Sequence, residues 1–287
     1  RDSSIARNQY VIDYSRKEVR DYIYSQMYKI LSENDIDYVK WDFNRNLTEV
    51  ANADLPPEKQ GEVFHRFVLG TYEIMDRLTT DFPHLLLENC SGGGGRFDPG
   101  MLYFSPQIWT SDDTDPIERL TIQFGTSLVY PASTMGAHVS ASKRTGYETK
   151  TNVALWGTFG YELDPDKLTE EEIAEIKEQA KLYHKYYDVI HYGDLYRLES
   201  PFENYDRCAW QFVSEDKKEA LVTAVQIKKV VHGFKMLKLQ GLKPNSIYKD
   251  EATGDTYSGA YLMNAGLNLY DILDNDGDSY LLHLTEV

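Results

Sequence analysis

The sequence predicts an α/β fold in which a parallel sheet covered by helices is followed by an antiparallel β-sandwich. Up to about Ile190, short apolar strands alternate with longer segments of helical periodicity. That alternation, with strands apolar almost throughout, is typical of a parallel sheet buried on both faces, either a (β/α) barrel or an open flavodoxin-like sheet. After Ile190 the helical periodicity disappears and short alternating runs replace it, which favours the sandwich.

The helices of the first part are predicted from apolar spacing and from residues typical of helix starts. A capping-box pattern opens the first helix at Ser15, a proline opens the second at Pro57, and Thr169 caps the last. The predicted helices cover residues 15–34, 57–80, a segment opening at 115, and 169–188. The predicted strands are a strand end at 10–12 and runs at 37–42, 85–87, 107–109, 127–131 and 155–161.

The second part is predicted from two clear alternating runs and the turns around them. The runs are 208–213 and 220–225, and the turn signals are 243–245 and 254–255. We therefore place a barrel-type domain at 1–190 and an antiparallel β-sandwich domain at 191–287. The chain begins at Arg1 and enters structure almost at once, which leads us to expect a piece of something longer.

Composition excludes several classes of protein. Among 287 residues, 46 are acidic and 30 are basic, so the formal net charge is -16. This charge repels nucleic acid and anionic membrane surfaces, and no stretch approaches the roughly 18 apolar residues of a membrane span. The two cysteines, Cys90 and Cys208, predict no disulfide framework and agree with a cytoplasmic location.

The first candidate site is a carboxylate at the end of a predicted strand. Asp42 lies between Lys40 and Arg45, and neighbouring cations favour the ionised form that a nucleophile needs. Active sites of parallel sheets lie at the carboxyl ends of the strands. The alternative interpretation is a surface cluster of ion pairs.

The second candidate is a tract of four glycines that follows Cys90 and precedes Arg96. Such a tract lets a backbone approach a ligand closely, and that ligand could be a phosphate or a sugar ring. It lacks the endings of a P-loop or a dinucleotide fingerprint, which disfavours a nucleotide. A flexible loop is the remaining interpretation. Cys90 itself could contact a ligand through its weak thiol donor.

The third candidate is a run of carboxylates after another predicted strand. Repulsion among Asp112, Asp113 and Asp115 would favour keeping one of them protonated, as a general acid requires. Asp115 is expected to cap the next helix and Asp113 to face water, which leaves Asp112 unexplained. Together with Asp42 it would form the pair of carboxylates that glycosidic cleavage uses. Trp41 and Trp109 could stack on a sugar or belong to the core.

No metal site is predicted. The histidines show neither HxH nor HExxH spacing, and the cysteines show no CxxC. Residues 274–278 are rich in aspartate but lack the spacing of an EF-hand loop, so a polar turn is the preferred interpretation.

Three motifs resemble glycoside hydrolase family 36, the microbial α-galactosidases. They are DYVKWDFNR at 37–45, ENCSGGGGRFD at 88–98 and WTSDDTD at 109–115, in the order of that family. Residues 159–163 and 257–264 also look like that family. The resemblance implies a partial (β/α)8 TIM-type barrel followed by a β-sandwich. It also implies a retaining hydrolase that releases terminal α-linked galactose from melibiose and raffinose-type oligosaccharides, with no metal or organic cofactor.

The resemblance also implies roles for single residues. Asp42 matches the nucleophile and Asp112 the acid/base. The implied substrate contacts are Arg7, Lys40, Trp41, Phe43, Asn44 and Cys90. Members of the family often form dimers or tetramers, so a homo-oligomer is expected.

Two departures from the family matter. Asp113 stands where the family commonly has asparagine. The family's N-terminal β-sandwich and first barrel strands, with an aspartate pair and a tryptophan that hold galactose, have no counterpart in this sequence. We therefore expect the chain alone to have reduced or no activity. The alternatives are a non-catalytic galactoside-binding module and a phosphosugar-binding barrel enzyme.

Overall fold

The computed structural model describes residues 8–45, 47–48, 50–203, 205–229, 236–270 and 272–287. The chain forms two compact units, Arg1–Asp112 and Asp113–Val287, and each is described by itself. This division differs from the domain boundary predicted at residue 190, which stays a prediction. Of the helices described, none is both long enough and apolar enough to cross a membrane.

The first unit is a three-stranded parallel sheet with helices between its strands. Its elements, in order, are α1 (Lys17–Glu33), β1 (Tyr38–Asp42), a 3-10 turn (Pro57–Glu62), α2 (Val63–Asp81), β2 (Leu86–Cys90), α3 (Pro99–Phe104) and β3 (Gln107–Trp109). Strand β2 lies between β1 and β3 and is parallel to both. Asp42 is opposite Cys90, and Asn89 is opposite Ile108, so the carboxyl ends of the three strands lie level with one another.

The core of the first unit lies between α2 and the sheet. One face of α2 carries Phe67, Ile74 and Leu78, which pack in one cluster with Leu87 of β2 and Ile108 of β3. All five side chains are buried, and burial of each such side chain contributes roughly 1.5–3 kcal/mol. This packing holds the sheet rigid beneath the loops that follow its strands.

The second unit begins with two parallel strands and three helices. They are α4 (Pro116–Ser127), β4 (Met135–Ser140), α5 (Tyr147–Ala154), β5 (Thr158–Glu162) and α6 (Glu170–Tyr192). Strands β4 and β5 pair in parallel. Helix α6 starts with a complete capping box, in which Thr169 and Glu172 bond each other's backbone amides, as predicted for Thr169.

The rest of the second unit is antiparallel β-structure. Its elements are β6 (Asp194–Glu199), β7 (Arg207–Val213), β8 (Glu219–Gln226), β9 (Met236–Leu237), β10 (Ile247–Asp250), β11 (Thr256–Ser258), α7 (Gly259–Asn264), β12 (Leu267–Asn268) and β13 (Ser279–Glu286). Six strands form one sheet in the order β11-β10-β13-β8-β7-β6, and β9 and β12 form a separate ribbon. Leu237, Leu262 and Leu269 pack in one cluster with sheet residues such as Val222 and Leu282, which gives this part its second layer.

Three local predictions were wrong. The strand predicted at 127–131 is absent from its place: Ser127 ends α4 and residues 128–130 form a turn in which Leu128 and Val129 are exposed. The next strand, β4, lies further along the chain. No capping box opens α1, since the Ser15 hydroxyl accepts a bond from the Asn52 amide and Arg16 occupies the cap. Residues 10–12 form no strand.

Candidate active site

Asp42 ends strand β1, and its carboxyl group is held by Asn44 in the loop that follows and by Cys90 at the end of β2. The Asn44 amide donates a hydrogen bond to Asp42 Oδ2, and the Cys90 thiol also bonds the Asp42 carboxyl. The Asn44 carbonyl oxygen in turn accepts from the backbone N–H of Gly92 at 2.8 Å. Asn44 therefore ties the loop after β1 to the start of the glycine tract and fixes the carboxylate between them.

Lys40 lies two residues before Asp42 in β1, so the two side chains lie on the same side of the strand. Its ammonium lies 4.8 Å from the centre of the Trp109 ring and 3.7 Å from Glu88 Oε1. Glu88 is buried, and its other carboxyl oxygen accepts a hydrogen bond from the Tyr38 hydroxyl. The cation is thus positioned by an aromatic face and a buried carboxylate.

Cys90 ends strand β2 and is buried. The pKa of its thiol is raised to about 11, chiefly by burial. A backbone hydrogen bond at Gly93 lowers this pKa, and the bond to Asp42 raises it further. The group is therefore a neutral thiol at pH 7, which can donate its proton to a carboxylate or a ligand oxygen but does not act as a nucleophile.

Asp112 lies three residues beyond strand β3 and is exposed. The indole Nε1 of Trp109 donates to Asp112 Oδ1 at 3.2 Å. Trp109 is itself buried, so the ring belongs to the core and its N–H orients the carboxyl group. Sequence reasoning left Trp109 open between a sugar platform and the core, and it missed this hydrogen bond.

The neighbours of Asp112 have the roles expected of them. Asp115 caps α4, because its Oδ1 accepts from the backbone N–H groups of Ile117 and Glu118 at 3.0 and 3.3 Å. Asp113 is exposed, and its Oδ1 accepts from the backbone N–H of Asp115 at 3.0 Å.

Part of the glycine tract packs closely against protein backbone. A Cβ on Gly93 would lie 2.7 Å from Ser111 Cα, and a Cβ on Gly94 would lie 2.6 Å from the Thr110 carbonyl oxygen. Gly92 differs, since its φ is +53° and its nearest neighbour would be the Asn44 side chain at 3.9 Å. Gly93 and Gly94 therefore allow the loop after β2 to touch the loop that carries Asp112, whereas a Cβ at Gly92 would make only an ordinary contact.

The other residues predicted to contact substrate are Trp41, Phe43 and Arg7, and the first two pack against aromatic side chains of the first unit. Trp41 alternates with Lys40 and Asp42 along β1, and it packs edge-on against Tyr14 with ring centres 6.5 Å apart. Phe43 packs on Phe67 of the core at 6.0 Å. Arg7 lies outside the described residues. In the ranges that the structure covers, no three histidine, cysteine or acidic side chains are grouped to hold a metal ion.

The family models match almost the whole chain. The model described as melibiase matches residues 1–193, and that of the glycosyl hydrolase family 36 C-terminal domain matches residues 207–284. Alpha-galactosidase AgaA of Geobacillus stearothermophilus is 49% identical over 276 residues, which are 94% of this chain and 38% of that protein. Alpha-galactosidase Mel36A of Lactobacillus acidophilus is 47% identical over 276 residues, 94% of this chain and 37% of that protein.

Solved structures agree with these matches. The crystal structure of the AgaA enzyme aligns with a TM-score of 0.96 at 48% identity, covering 100% of this chain and 40% of that one. A variant of the same enzyme, solved with raffinose, aligns with a TM-score of 0.96 at 47% identity and the same coverage. This likeness confirms the predicted fold class, a partial (β/α) barrel followed by an antiparallel β-domain. The chain spans about two fifths of the length of these relatives, and it belongs to the melibiase family, glycosyl hydrolase family 36.

Proposed function

We propose that this chain carries the catalytic carboxylates of a retaining α-galactosidase that hydrolyses terminal α-linked galactosides such as melibiose and raffinose-type oligosaccharides. The observation that carries the proposal is the placement of Asp42 and Asp112 at the carboxyl ends of β1 and β3 in one parallel sheet. The proposal is supported by relatives named as alpha-galactosidases and by structures of such relatives with raffinose and stachyose.

In the proposed mechanism Asp42 attacks the anomeric carbon of galactose and forms a covalent glycosyl-enzyme. The Asn44 amide and the Cys90 thiol form hydrogen bonds to the Asp42 carboxyl group and so hold it in one orientation. Asp112 protonates the departing glycosidic oxygen and then removes a proton from the incoming water. Its exposure lets it exchange that proton with solvent between the two steps. A productive site requires the two carboxyl groups about 5–5.5 Å apart.

We propose two kinds of role for the residues that the resemblance groups as substrate contacts: bonds to galactose hydroxyls, and support of the strand end. Asn44 and Cys90 bond the Asp42 carboxyl, and Lys40 shares its side of β1. We assign all three to bonds with galactose hydroxyls, a role proposed for Arg7 from the resemblance alone. Trp41 and Phe43 pack toward the core of the first unit, so we propose that their contribution is to shape the strand end beneath the sugar.

A trapping experiment on galactosides tests this function. Incubation of the protein as it is naturally expressed, rather than of a polypeptide of these 287 residues alone, with a 2-deoxy-2-fluoro-α-galactosyl donor should add one fluorogalactosyl group to Asp42, identified by mass spectrometry of the digested protein. A matched α-glucosyl donor is the control. Tight galactose binding without labelling or turnover would support the galactoside-binding module instead. Tighter binding of inorganic phosphate than of galactose would support the phosphosugar alternative.

We further propose a homo-oligomer located in the cytoplasm. Large apolar side chains on the surface of the first unit, among them Phe64 and Leu69 of α2 and Tyr103 of α3, are exposed by half or more, and association of two copies would remove such surface from water. Both cysteines are free, as in reducing compartments. Light scattering of the purified protein tests the oligomer, with a dimer or tetramer expected, and cell fractionation tests the location.

A further inference from the structure

Glu88, in the middle of β2, is a buried acidic side chain on the side of the sheet that carries Asp42. Only 3% of its side chain is exposed. The parallel register places Glu88 opposite Lys40 and Cys90 opposite Asp42, and residues two apart in a strand point to the same side. The neighbour of Glu88 across the strands is therefore Lys40, and this pair lies directly beside the pair of Asp42 and Cys90.

Both carboxyl oxygens of Glu88 face side chains of β1. The Tyr38 hydroxyl donates a hydrogen bond to Oε2, and the Lys40 ammonium lies 3.7 Å from Oε1. Oε1 has no hydrogen-bond partner among the described residues, so the ammonium is the group that compensates it. A buried acidic group needs such partners. Because Tyr38 fixes one oxygen, the other is held in the direction of Lys40.

The Lys40 ammonium is held from two directions and still faces solvent. Besides Glu88 it contacts Trp109, whose ring centre lies 4.8 Å away, and 37% of the Lys40 side chain is exposed. An ammonium has three N–H donors, and one ion pair and one ring face do not use all of them. Among the ion pairs of the described residues, Lys40 is joined to Glu88 and not to Asp42. Donors therefore remain for a ligand beside Asp42.

We propose that Glu88 is a positioning residue that determines which hydroxyl group of the sugar Lys40 recognises. Its carboxyl group anchors the ammonium over the Trp109 ring, so that the remaining N–H groups point to one place beside Asp42. Without this anchor the four-carbon stem of Lys40 would move among several rotamers, and its contact would be spread over all the hydroxyls within reach. The specificity rests on the proposed function, in which Lys40 bonds galactose, whereas the anchoring of Lys40 does not.

The first test measures kcat/KM in the protein as it is naturally expressed, for aryl α-galactosides that lack the 2-, 3-, 4- or 6-hydroxyl group. Each deletion gives a penalty relative to the intact galactoside. Lys40→Met should abolish one penalty, on the order of 10- to 100-fold for a hydrogen bond to a charged group, and so identify the hydroxyl that Lys40 binds. Glu88→Gln should shrink that same penalty by about tenfold and leave the other three unchanged.

Three further variants make this test specific. Glu88→Gln combined with Lys40→Met should show the penalties of Lys40→Met alone, because Glu88 acts through Lys40. Tyr38→Phe removes only a hydroxyl from a half-exposed side chain, and should give the pattern of Glu88→Gln more weakly, even where Glu88→Gln does not fold. Asp21→Asn is the matched control, because Asp21 is a carboxylate of the same unit that binds Arg77 at 2.9 Å. Its penalties should equal those of the wild type.

Crystal structures of the wild type, Glu88→Gln and Tyr38→Phe proteins give a readout that needs no activity. The Lys40 ammonium should leave its place over the Trp109 ring in Glu88→Gln. An ammonium that stays in place, or a loss of kcat/KM that is equal for all the galactosides, would overturn the proposal. If the ammonium moves while Lys40→Met changes no penalty, the anchoring holds and the proposed bond between Lys40 and galactose fails.

Discussion

At the scale of single residues, Asp42 and Asp112 differ in what their carboxyl groups touch. Both side chains are exposed, but Asp42 accepts from an amide and a thiol, whereas Asp112 accepts from the Trp109 indole. Two donors hold the Asp42 carboxyl in one orientation, which suits the nucleophile that we propose. Contact with water suits the repeated proton transfer proposed for Asp112.

Azide rescue separates those roles. In Asp42→Ala turnover should nearly vanish, and azide should restore it by attack on the face that Asp42 leaves, giving β-galactosyl azide. In Asp112→Ala the rate on natural galactosides should fall about 10²–10⁴-fold, with a smaller loss on substrates with good leaving groups, since these need less protonation. There azide should give α-galactosyl azide. Product anomers read by proton NMR decide, and the reversed pattern would exchange the assignments.

The Cys90 thiol offers a second measurement at the residue scale. Because burial raises its pKa to about 11, alkylation by iodoacetamide should be slow at pH 8 and should rise about tenfold per pH unit until the thiolate predominates. Cys208 is buried within β7 and its pKa is also raised, so it should stay unlabelled while the protein is folded. Mass spectrometry of Cys90→Ser provides the control. Rapid labelling of Cys90 at neutral pH would contradict a neutral, buried thiol.

At the scale of elements, the glycine tract joins two loops. Gly94→Ala should destabilise the protein by roughly 1–3 kcal/mol, because the new methyl group would lie 2.6 Å from the Thr110 carbonyl oxygen. Gly61→Ala is the matched control, since no atom lies within 4 Å of the added Cβ. Urea unfolding of both variants measures the difference. Equal stabilities would mean that the loop after β2 does not pack against the loop after β3.

The elements also show where sequence reasoning succeeds. Helix α2 and strand β1 were predicted nearly at their observed places. The apolar periodicity of α2 matches its buried face, and β1 is rich in residues typical of strands. Strand β4 was missed, since its residues MGAHVS include small side chains that a buried strand tolerates but that carry little strand signal. Helices α3 and α5 were missed as well. They have 6 and 8 residues, too short for periodicity to be visible.

The candidate site was foreseen only in part. Asp42, Cys90 and Asp112 were found because they follow apolar strands, and the strand ends of a parallel sheet meet at one edge. The partners of those residues were not found, since the hydrogen bonds from Asn44 and Trp109 depend on side-chain directions. The family resemblance grouped Trp41 and Phe43 with the substrate contacts, and this grouping stays a prediction. Alternation along the strand places the Trp41 side chain on the opposite side from Asp42.

At the scale of the whole molecule, the number of parallel strands determines what these 287 residues can do by themselves. The described residues hold three parallel strands in the first unit and two in the second. A closed (β/α)8 barrel needs more. Within the described part of the chain, β1 pairs with β2 only, so its other edge carries backbone groups available for pairing with another chain.

We therefore expect a polypeptide of these 287 residues to show at most weak hydrolysis of an activated aryl α-galactoside. The aspartate pair that the family resemblance assigns to strands before this segment would be missing, and each lost charged hydrogen bond weakens binding by about 1.5–3 kcal/mol. Asp42 and Asp112 would then be present without a sugar held between them. Adding the N-terminal part of the Geobacillus stearothermophilus relative in trans should raise the rate, and the same addition to the Asp42→Ala chain is the control. Hydrolysis of melibiose by the isolated chain at a rate typical of enzymes, on the order of 10 per second, would show that five parallel strands suffice to build the galactose site.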